Sequence, residues 1–137
     1  DGMYEYNGSR SLTVPKNLYI IGTMNTADRS VGHIDYAIRR RFAFIDVLPK
    51  EEIITNSEAK DLFKKVEALF LNGTLASDFK RKDVQLGHSY FLAETKEELA
   101  HKFQYEVLPI LNEYVNDGIL LKNAEDIIKE MEQDVLR

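Results

Sequence analysis

The sequence GTMNTADRSVGHIDYAIRRRF, residues 22–42, joins a small polar loop to a cluster of three arginines. The loop, residues 23–30, directly follows an apolar run at residues 18–21. The arginines, residues 39–41, directly precede a second apolar run at residues 42–47. Two apolar runs that each adjoin a group of polar or cationic residues suggest two strand ends that carry a functional site.

The two runs and the segment between them predict the start of an α/β fold. The run 18–21 is apolar throughout rather than alternating, which is typical of a strand covered on both faces. Ile34, Ala37 and Ile38 have the i, i+3, i+4 spacing of a short helix. With a second strand at residues 42–47, we expect a tight strand–helix–strand crossover. Upstream, the turn signal Asn7-Gly8-Ser9 is compatible with a short hairpin or a loose arm.

After Pro49 the pattern becomes helical. Ser57 is a predicted N-cap for a helix that runs to about Leu71 and ends at Asn72-Gly73. The apolar face of this helix is predicted to consist of Leu62, Val66, Leu69 and Phe70.

Two further helices are predicted. Thr95 and Glu98 form a capping-box pattern at the start of a long amphipathic segment, which ends at Asn116-Asp117-Gly118. Pro109 should kink or divide that segment, because its ring removes a backbone donor and clashes with the preceding turn. Asn123 begins a last helix that runs to about Leu136.

Composition excludes several classes of protein. The 137 residues are 44% hydrophobic and 30% charged, which fits a folded soluble protein of one domain or two small ones. With no cysteine, disulfide frameworks, thiolate zinc sites and thiol nucleophiles are excluded, and the three histidines show no metal-ligand spacing. The net charge of −5 disfavours a wholly basic DNA-binding domain but allows a local basic patch. No membrane span or signal peptide is present, and we expect a cytoplasmic protein.

The polar loop has two interpretations. Ligands of open α/β sheets bind in the crevice outside the carboxyl ends of the strands. There the amide of Asn25 can hold a water molecule against a phosphate, and Asp28 and Arg29 can order the loop or reach a neighbouring subunit. Asn, Thr and Asp also make turns without any further role.

Structural effects alone do not account for all three arginines. Successive helical side chains are turned by ~100°, so Arg39, Arg40 and Arg41 cannot all reach one anion. The helix dipole favours a cation at this end, and Asp35 can pair with Arg39 at i, i+4. These two effects account for one arginine.

Here a family resemblance becomes specific. Residues 14–49 resemble the sensor-1 to arginine-finger stretch of AAA+ NTPases, and in particular of the McrB branch. The motif DYAIRRRF at residues 35–42 is shared across the superfamily, whereas MNTADRS at residues 24–30 marks the branch. LGHSYF at residues 86–91 and VLPILNEYVNDG at residues 107–118 resemble the helical lid of the same branch.

The resemblance implies a fold and a set of functional residues. Residues 1–49 would be the C-terminal end of an AAA+ α/β core, and residues 50–137 an all-α lid. Asn25 resembles the sensor-1 residue that positions the attacking water, and Arg40 and Arg41 resemble arginine fingers acting on the nucleotide of a neighbouring subunit, with Arg40 preferred. The residues implied at the nucleotide or the subunit interface are Asp28, Arg29, Asp35, Arg39 and His88.

The implied function belongs to a longer protein. The phosphate-binding motif Gly-x-x-x-x-Gly-Lys-[Ser/Thr] and an acidic pair for Mg²⁺ are absent from the 137 residues, and Asp46 is predicted to be structural. We therefore expect a C-terminal fragment that does not hydrolyse nucleotide by itself. In the full-length protein, the resemblance implies hydrolysis of GTP, or ATP, with Mg²⁺ in a hexameric ring. The ring would translocate DNA for a McrC-type nuclease subunit, with no membrane partner.

Alternatives stay open at several points. His88 can instead be a packed histidine bonded to the backbone, and Tyr90 and Phe91 are expected in the core. The basic run at residues 80–82 can contact DNA phosphates, but a solvated loop is favoured because Asp78 and Asp83 dilute its charge. Two other functions are compatible with the sequence: another AAA+ ATPase of MoxR-like or dynein-like type, and a non-catalytic helical interaction module.

Overall fold

The chain is helical wherever regular secondary structure is assigned. The computed structural model describes residues 15–24, 36–71 and 73–137. The α-helices are α1 (Tyr36–Arg39), α2 (Ser57–Ala68), α3 (Arg81–Val84), α4 (Lys96–Lys102), α5 (Leu108–Asn116) and α6 (Ala124–Val135). Two 3₁₀ turns, Glu51–Ile53 and His88–Phe91, and one π-helical turn, Phe103–Val107, complete the set.

The prediction of two buried strands is wrong for this structure. Residues 18–21 and 42–47 contain no strand, and the described residues form no sheet. Ile21 is 93% exposed and Val47 is 91% exposed, so neither run is covered on both faces. A strand needs a neighbour for its backbone hydrogen bonds, and no other segment of the described chain pairs with these runs. The predicted crossover is therefore represented only by α1, and the hairpin predicted around residues 4–14 lies outside the described residues.

Helix α2 follows its sequence pattern closely. The helix ends at Ala68, about three residues before the predicted end. The four predicted apolar residues are all at most 4% exposed, with Leu62 and Val66 in the helix and Leu69 and Phe70 directly after it. The N-cap is Asn56, one residue before the predicted Ser57, and its side-chain oxygen accepts a hydrogen bond from the Ala59 N–H at 3.1 Å. Asn ranks among the best N-cap residues because its short side chain reaches the free N–H groups of the first turn.

The segment from α4 to α5 is divided by the π turn, next to the predicted interruption at Pro109. Thr95 caps α4 as predicted, by accepting from the Glu98 N–H at 3.1 Å. Within the turn the Leu108 N–H bonds to the Phe103 carbonyl, five residues earlier instead of four. Pro109, in the first turn of α5, offers no N–H of its own.

The π turn also corrects the direction of the buried side chains. Leu99, Phe103, Val107 and Leu111 occur at every fourth position and are at most 4% exposed. In an uninterrupted α-helix, four-residue steps drift by ~40° each, or ~120° over this stretch. Because a π turn accommodates an extra residue, it removes ~100° of that drift. All four side chains therefore face the same core.

One hydrophobic core joins α2, the His88–Phe91 turn, the π turn, α5 and α6. Phe91 is fully buried, and its ring meets that of Phe63 edge to face with centroids 5.3 Å apart. Behind α5, the chain reverses at Gly118, whose φ of 70° is the left-handed conformation that glycine adopts without strain. The returning segment then forms an antiparallel bridge between Leu120 and Leu75.

Candidate functional site

The arginine cluster lies at the end of α1. Helix α1 ends at Arg39, and the turn that follows is closed by a bond from the Arg41 N–H to the Ile38 carbonyl at 2.9 Å. The guanidinium of Arg39 lies over the ring of Phe44, 5.4 Å from its centroid. A cation over an aromatic face is attracted by the ring quadrupole, so Arg39 is engaged within its own chain.

Arg40 and Arg41 differ from Arg39 in this respect. Both are exposed, and neither forms an ion pair with any residue of the described part of the chain. A guanidinium is permanently charged and binds phosphate oxygens in a bidentate geometry. Among the described residues, no carboxylate competes with an anion that approaches these two side chains from outside the chain.

The remaining residues of the predicted α/β site lie outside the described residues. They are Asn25, Asp28, Arg29 and Asp35. Their assignment to sensor 1 and to the subunit interface stays a prediction.

His88 occupies a defined place between the arginine segment and the helices. It begins the 3₁₀ turn His88–Phe91, and its Nδ1 accepts a hydrogen bond from the Lys50 N–H at 3.2 Å. This is the kind of backbone bond that the alternative interpretation of His88 expects. Its predicted role at the nucleotide or the interface stays a prediction.

An ion pair connects the arginine segment to α3. The Lys82 ammonium lies 2.9 Å from the Asp46 carboxylate. The hydrogen bond and the charge of Asp46 are the main causes that raise the pKa of Lys82 above its ordinary value. Asp46, predicted to be structural, thus contacts a cation of the helical region.

The basic run at residues 80–82 is largely committed to contacts within the chain. Arg81 forms an ion pair with Glu67 and donates to the Gln85 side chain at 2.6 Å. Lys82 is held by Asp46. Only Lys80 of the three remains without a side-chain contact among the described residues, so this run offers little charge to DNA.

A shallow cleft of about 210 Å³ lies between α2, α4 and α6. Its floor is apolar, formed by Leu62, Leu99 and Val135, and an ion pair between Lys65 and Asp134 at 3.0 Å crosses its rim. Within residues 15–24, 36–71 and 73–137, no group of His, Asp and Glu side chains is arranged to hold a metal ion. None of the helices in the same ranges is long and apolar enough to cross a membrane.

The helical region matches a known family. Residues 65–120 fit the family model described as McrB, alpha-helical lid domain. This matched region, residues 65–120, is called the lid below. It contains α3, the His88–Phe91 turn, α4, the π turn and α5.

One curated relative extends the similarity beyond the lid. The chain is 33% identical to the Type IV methyl-directed restriction enzyme EcoKMcrB subunit of Escherichia coli strain K12. The alignment of 132 residues covers 83% of this chain and 29% of the relative, so the chain spans less than a third of that protein's length. No solved structure matches the chain.

The aligned portion must include the arginine cluster. An unbroken stretch of 83% of the 137 residues, about 114, contains residues 25–113 wherever it begins. The similarity to the McrB subunit therefore takes in residues 25–30 of the polar loop, the three arginines and most of the lid.

Sequence reasoning missed the link between the arginine segment and the McrB lid. Asp46 and Lys82 are 36 residues apart, and neither belongs to a recognisable motif. The available signal was weak: an acidic residue inside an otherwise apolar run, and a basic run elsewhere with no assigned anion.

Proposed function

We propose that this chain supplies the sensor-1 residue, the arginine fingers and the lid of a McrB-type AAA+ GTPase that drives restriction of modified DNA. The observation that carries the proposal is the similarity to the E. coli McrB subunit, because it covers residues 25–113 and so spans both motif regions. A match confined to the lid at residues 65–120 would support only a shared helical domain.

The geometry of the arginines supports a role in trans. Arg40 and Arg41 are exposed, whereas Arg39 is held over Phe44. An arginine finger must project from its own subunit to neutralise the charge that develops on the transferred phosphoryl group. Arg40 is the preferred finger and Arg41 the second candidate. Asn25 would position the attacking water in the nucleotide pocket of its own subunit, a different pocket from the one that its fingers reach.

The exposed apolar runs support a larger core. Tyr19 and Ile21 are 89% and 93% exposed, and Ile45 and Val47 are 84% and 91% exposed. Contiguous apolar surface of this kind marks an interaction site on a soluble protein. In the proposed motor, these runs pair with strands of an α/β core that contains the P-loop.

The proposal assigns the nucleotide chemistry to several parts of a ring. GTP with Mg²⁺ supplies the transferred phosphoryl group, and Arg40 and Arg41 are suited to its negative charge. The P-loop and the acidic groups that hold Mg²⁺ come from outside the described residues. In a hexameric ring the turnover would drive DNA translocation for a McrC-type nuclease subunit, in the cytoplasm where such DNA is met.

A chimera tests the proposal. The aligned segment of the E. coli McrB subunit is replaced by residues 1–137, and the chimera is assayed for nucleotide turnover and for restriction of methylated DNA. We expect GTP turnover, which Arg40→Ala lowers by about 10³-fold or more while nucleotide binding is retained. Lys129→Ala, which removes an exposed lysine of α6, is the matched control and should leave turnover unchanged.

Mixing experiments test the action in trans. Arg40→Ala subunits are combined with subunits that carry an intact Arg40 but a disabled P-loop. Turnover should return in part, because each competent P-loop then meets an intact finger from its neighbour. Unchanged turnover in the Arg40→Ala and Arg41→Ala chimeras would refute the finger assignment, and a preference for ATP would favour the MoxR-like or dynein-like alternative.

A further inference from the structure

We propose that Asp46 and Lys82 are positioning residues, whose ion pair docks the arginine turn, residues 39–41, onto the McrB lid. The inference concerns how the arginines are held. It rests on the proposed function only for its catalytic consequence.

The segment before α2 is attached to the helical region by a series of contacts. Ile54 is buried in the core at 1% exposure, and Glu51 pairs with Lys64 of α2 at 3.1 Å. The Lys50 N–H then bonds to His88 at 3.2 Å. Each contact lies a few residues from the last, so little additional chain entropy is lost when the next one forms. Asp46 is the outermost contact in this series.

Beyond Asp46 the attachment continues to the arginines through alternate residues. The guanidinium of Arg39 lies 5.4 Å from the centroid of the Phe44 ring. The Lys82 ammonium lies 2.9 Å from the Asp46 carboxylate. Ile45, between these two residues, is 84% exposed. Phe44 and Asp46 thus connect α1 to α3 of the lid.

The charges explain why loss of either partner should loosen the arginine turn. The Asp46 carboxylate supplies the hydrogen bond and the opposite charge that hold the Lys82 ammonium at 2.9 Å. Neutralising either side chain removes that attraction. We therefore expect both Asp46→Asn and Lys82→Met to loosen the arginine turn.

Distance measurements in the 137-residue chain test the docking directly. The chain has no cysteine, so spin labels can be attached to Arg41→Cys and to Glu130→Cys on the exposed side of α6. Pulsed electron paramagnetic resonance should give a narrow distance distribution that Asp46→Asn broadens. The exchanged pair Asp46→Lys with Lys82→Asp should narrow it again. Glu106→Gln, an exposed carboxylate of the lid, is the control and should change nothing.

An unchanged distribution in Asp46→Asn would overturn the proposal, as would broadening that the exchanged pair does not reverse. An unchanged distribution in Lys82→Met would also contradict the proposal, because the ion pair needs both partners.

Turnover in the chimera tests the catalytic consequence. Asp46→Asn should lower kcat by about two- to fivefold, as expected for the loss of an exposed ion pair. KM should change little, because a finger stabilises the transition state rather than the bound substrate. In an Arg40→Ala background the same substitution should have no further effect.

The outcomes separate the two proposals. If Arg40→Ala and Arg41→Ala both leave turnover unchanged, the proposed finger role falls, while the distance result still decides the docking. If Arg40→Ala abolishes turnover and Asp46→Asn does not alter kcat, the positioning role falls alone.

Discussion

Replacement of Phe91 by alanine should remove a large part of the stability of the helical region. Phe91 is fully buried, and its ring packs edge to face on Phe63 at 5.3 Å. Truncating a buried Phe to Ala costs about 3–5 kcal/mol, because the transferred surface and the cavity left behind both contribute. A helical unit of about 85 residues has a free energy of unfolding of ~4–13 kcal/mol. The substitution is therefore expected to remove from about a quarter of this free energy to all of it.

Urea unfolding followed by far-ultraviolet circular dichroism measures the effect. With an m-value of about 1.5 kcal/mol/M, a loss of 3–5 kcal/mol lowers the midpoint by about 2–3 M. Phe91→Leu should lose less, since leucine fills part of the cavity but cannot make the edge contact with Phe63. The control is Tyr105→Ala, whose ring is 61% exposed.

The comparison distinguishes a core residue from a surface platform for a ligand. If Phe91→Ala lowered the free energy of unfolding by less than about 1 kcal/mol, the effect would match an ordinary surface substitution. The placement of Phe91 at the centre of the lid would then be wrong.

Three further substitutions probe single features of the lid. Gly118→Ala should lower the free energy of unfolding, measured in urea, by about 1 kcal/mol. The cost comes from the φ of 70°, since no atom lies within 4 Å of the added Cβ to clash with it. An unchanged free energy would contradict the left-handed turn. Thr74→Val should lower the free energy of unfolding by about 1–2 kcal/mol, because the buried hydroxyl donates to the Leu69 carbonyl. Thr74→Ser keeps the hydroxyl and should retain most of that stability. Equal losses in the two variants would exclude the hydrogen bond. Burial is the main cause that raises the pKa of Tyr114 above 10.0, and the charges of Tyr90 and Glu113 add to it. The contribution of Tyr114 to the free energy of unfolding is therefore complete below pH 10.0. It is lost as the pH rises through the higher pKa of the folded state. In urea unfolding at several pH values, Tyr114→Phe should reduce the loss of stability at alkaline pH. The same pH dependence in the variant and the unsubstituted chain would contradict this role of Tyr114.

Much of the helical region could be predicted because its signals are local. The apolar face of α2 and the Thr95 cap follow from residues within one or two turns of each other, and the structure confirms both. The N-cap of α2 was misplaced by one residue, since Asn56 and Ser57 are both good caps and only the backbone geometry decides between them.

The strands and the docking pair could not be predicted in the same way. An apolar run such as residues 18–21 shows that a segment can be buried, but a strand forms only where a neighbour supplies its hydrogen bonds. The pairing of Asp46 with Lys82 depends on how the chain returns to α3 after α2. No local pattern encodes that return. The assignment of Asn25 as sensor 1 came from the family resemblance and stays a prediction.

The π turn at Phe103–Val107 has a consequence for tolerated changes in chain length. Because the π turn contains one residue more than an α-helical turn, deletion of a single residue there would convert it to ordinary α-helix. Leu99 and Leu111 would keep their shared orientation. The same deletion in α2 or α6, which contain no π turn, would rotate every later side chain of the helix by ~100°. Relatives that differ by one residue in this lid should therefore show the gap within the turn.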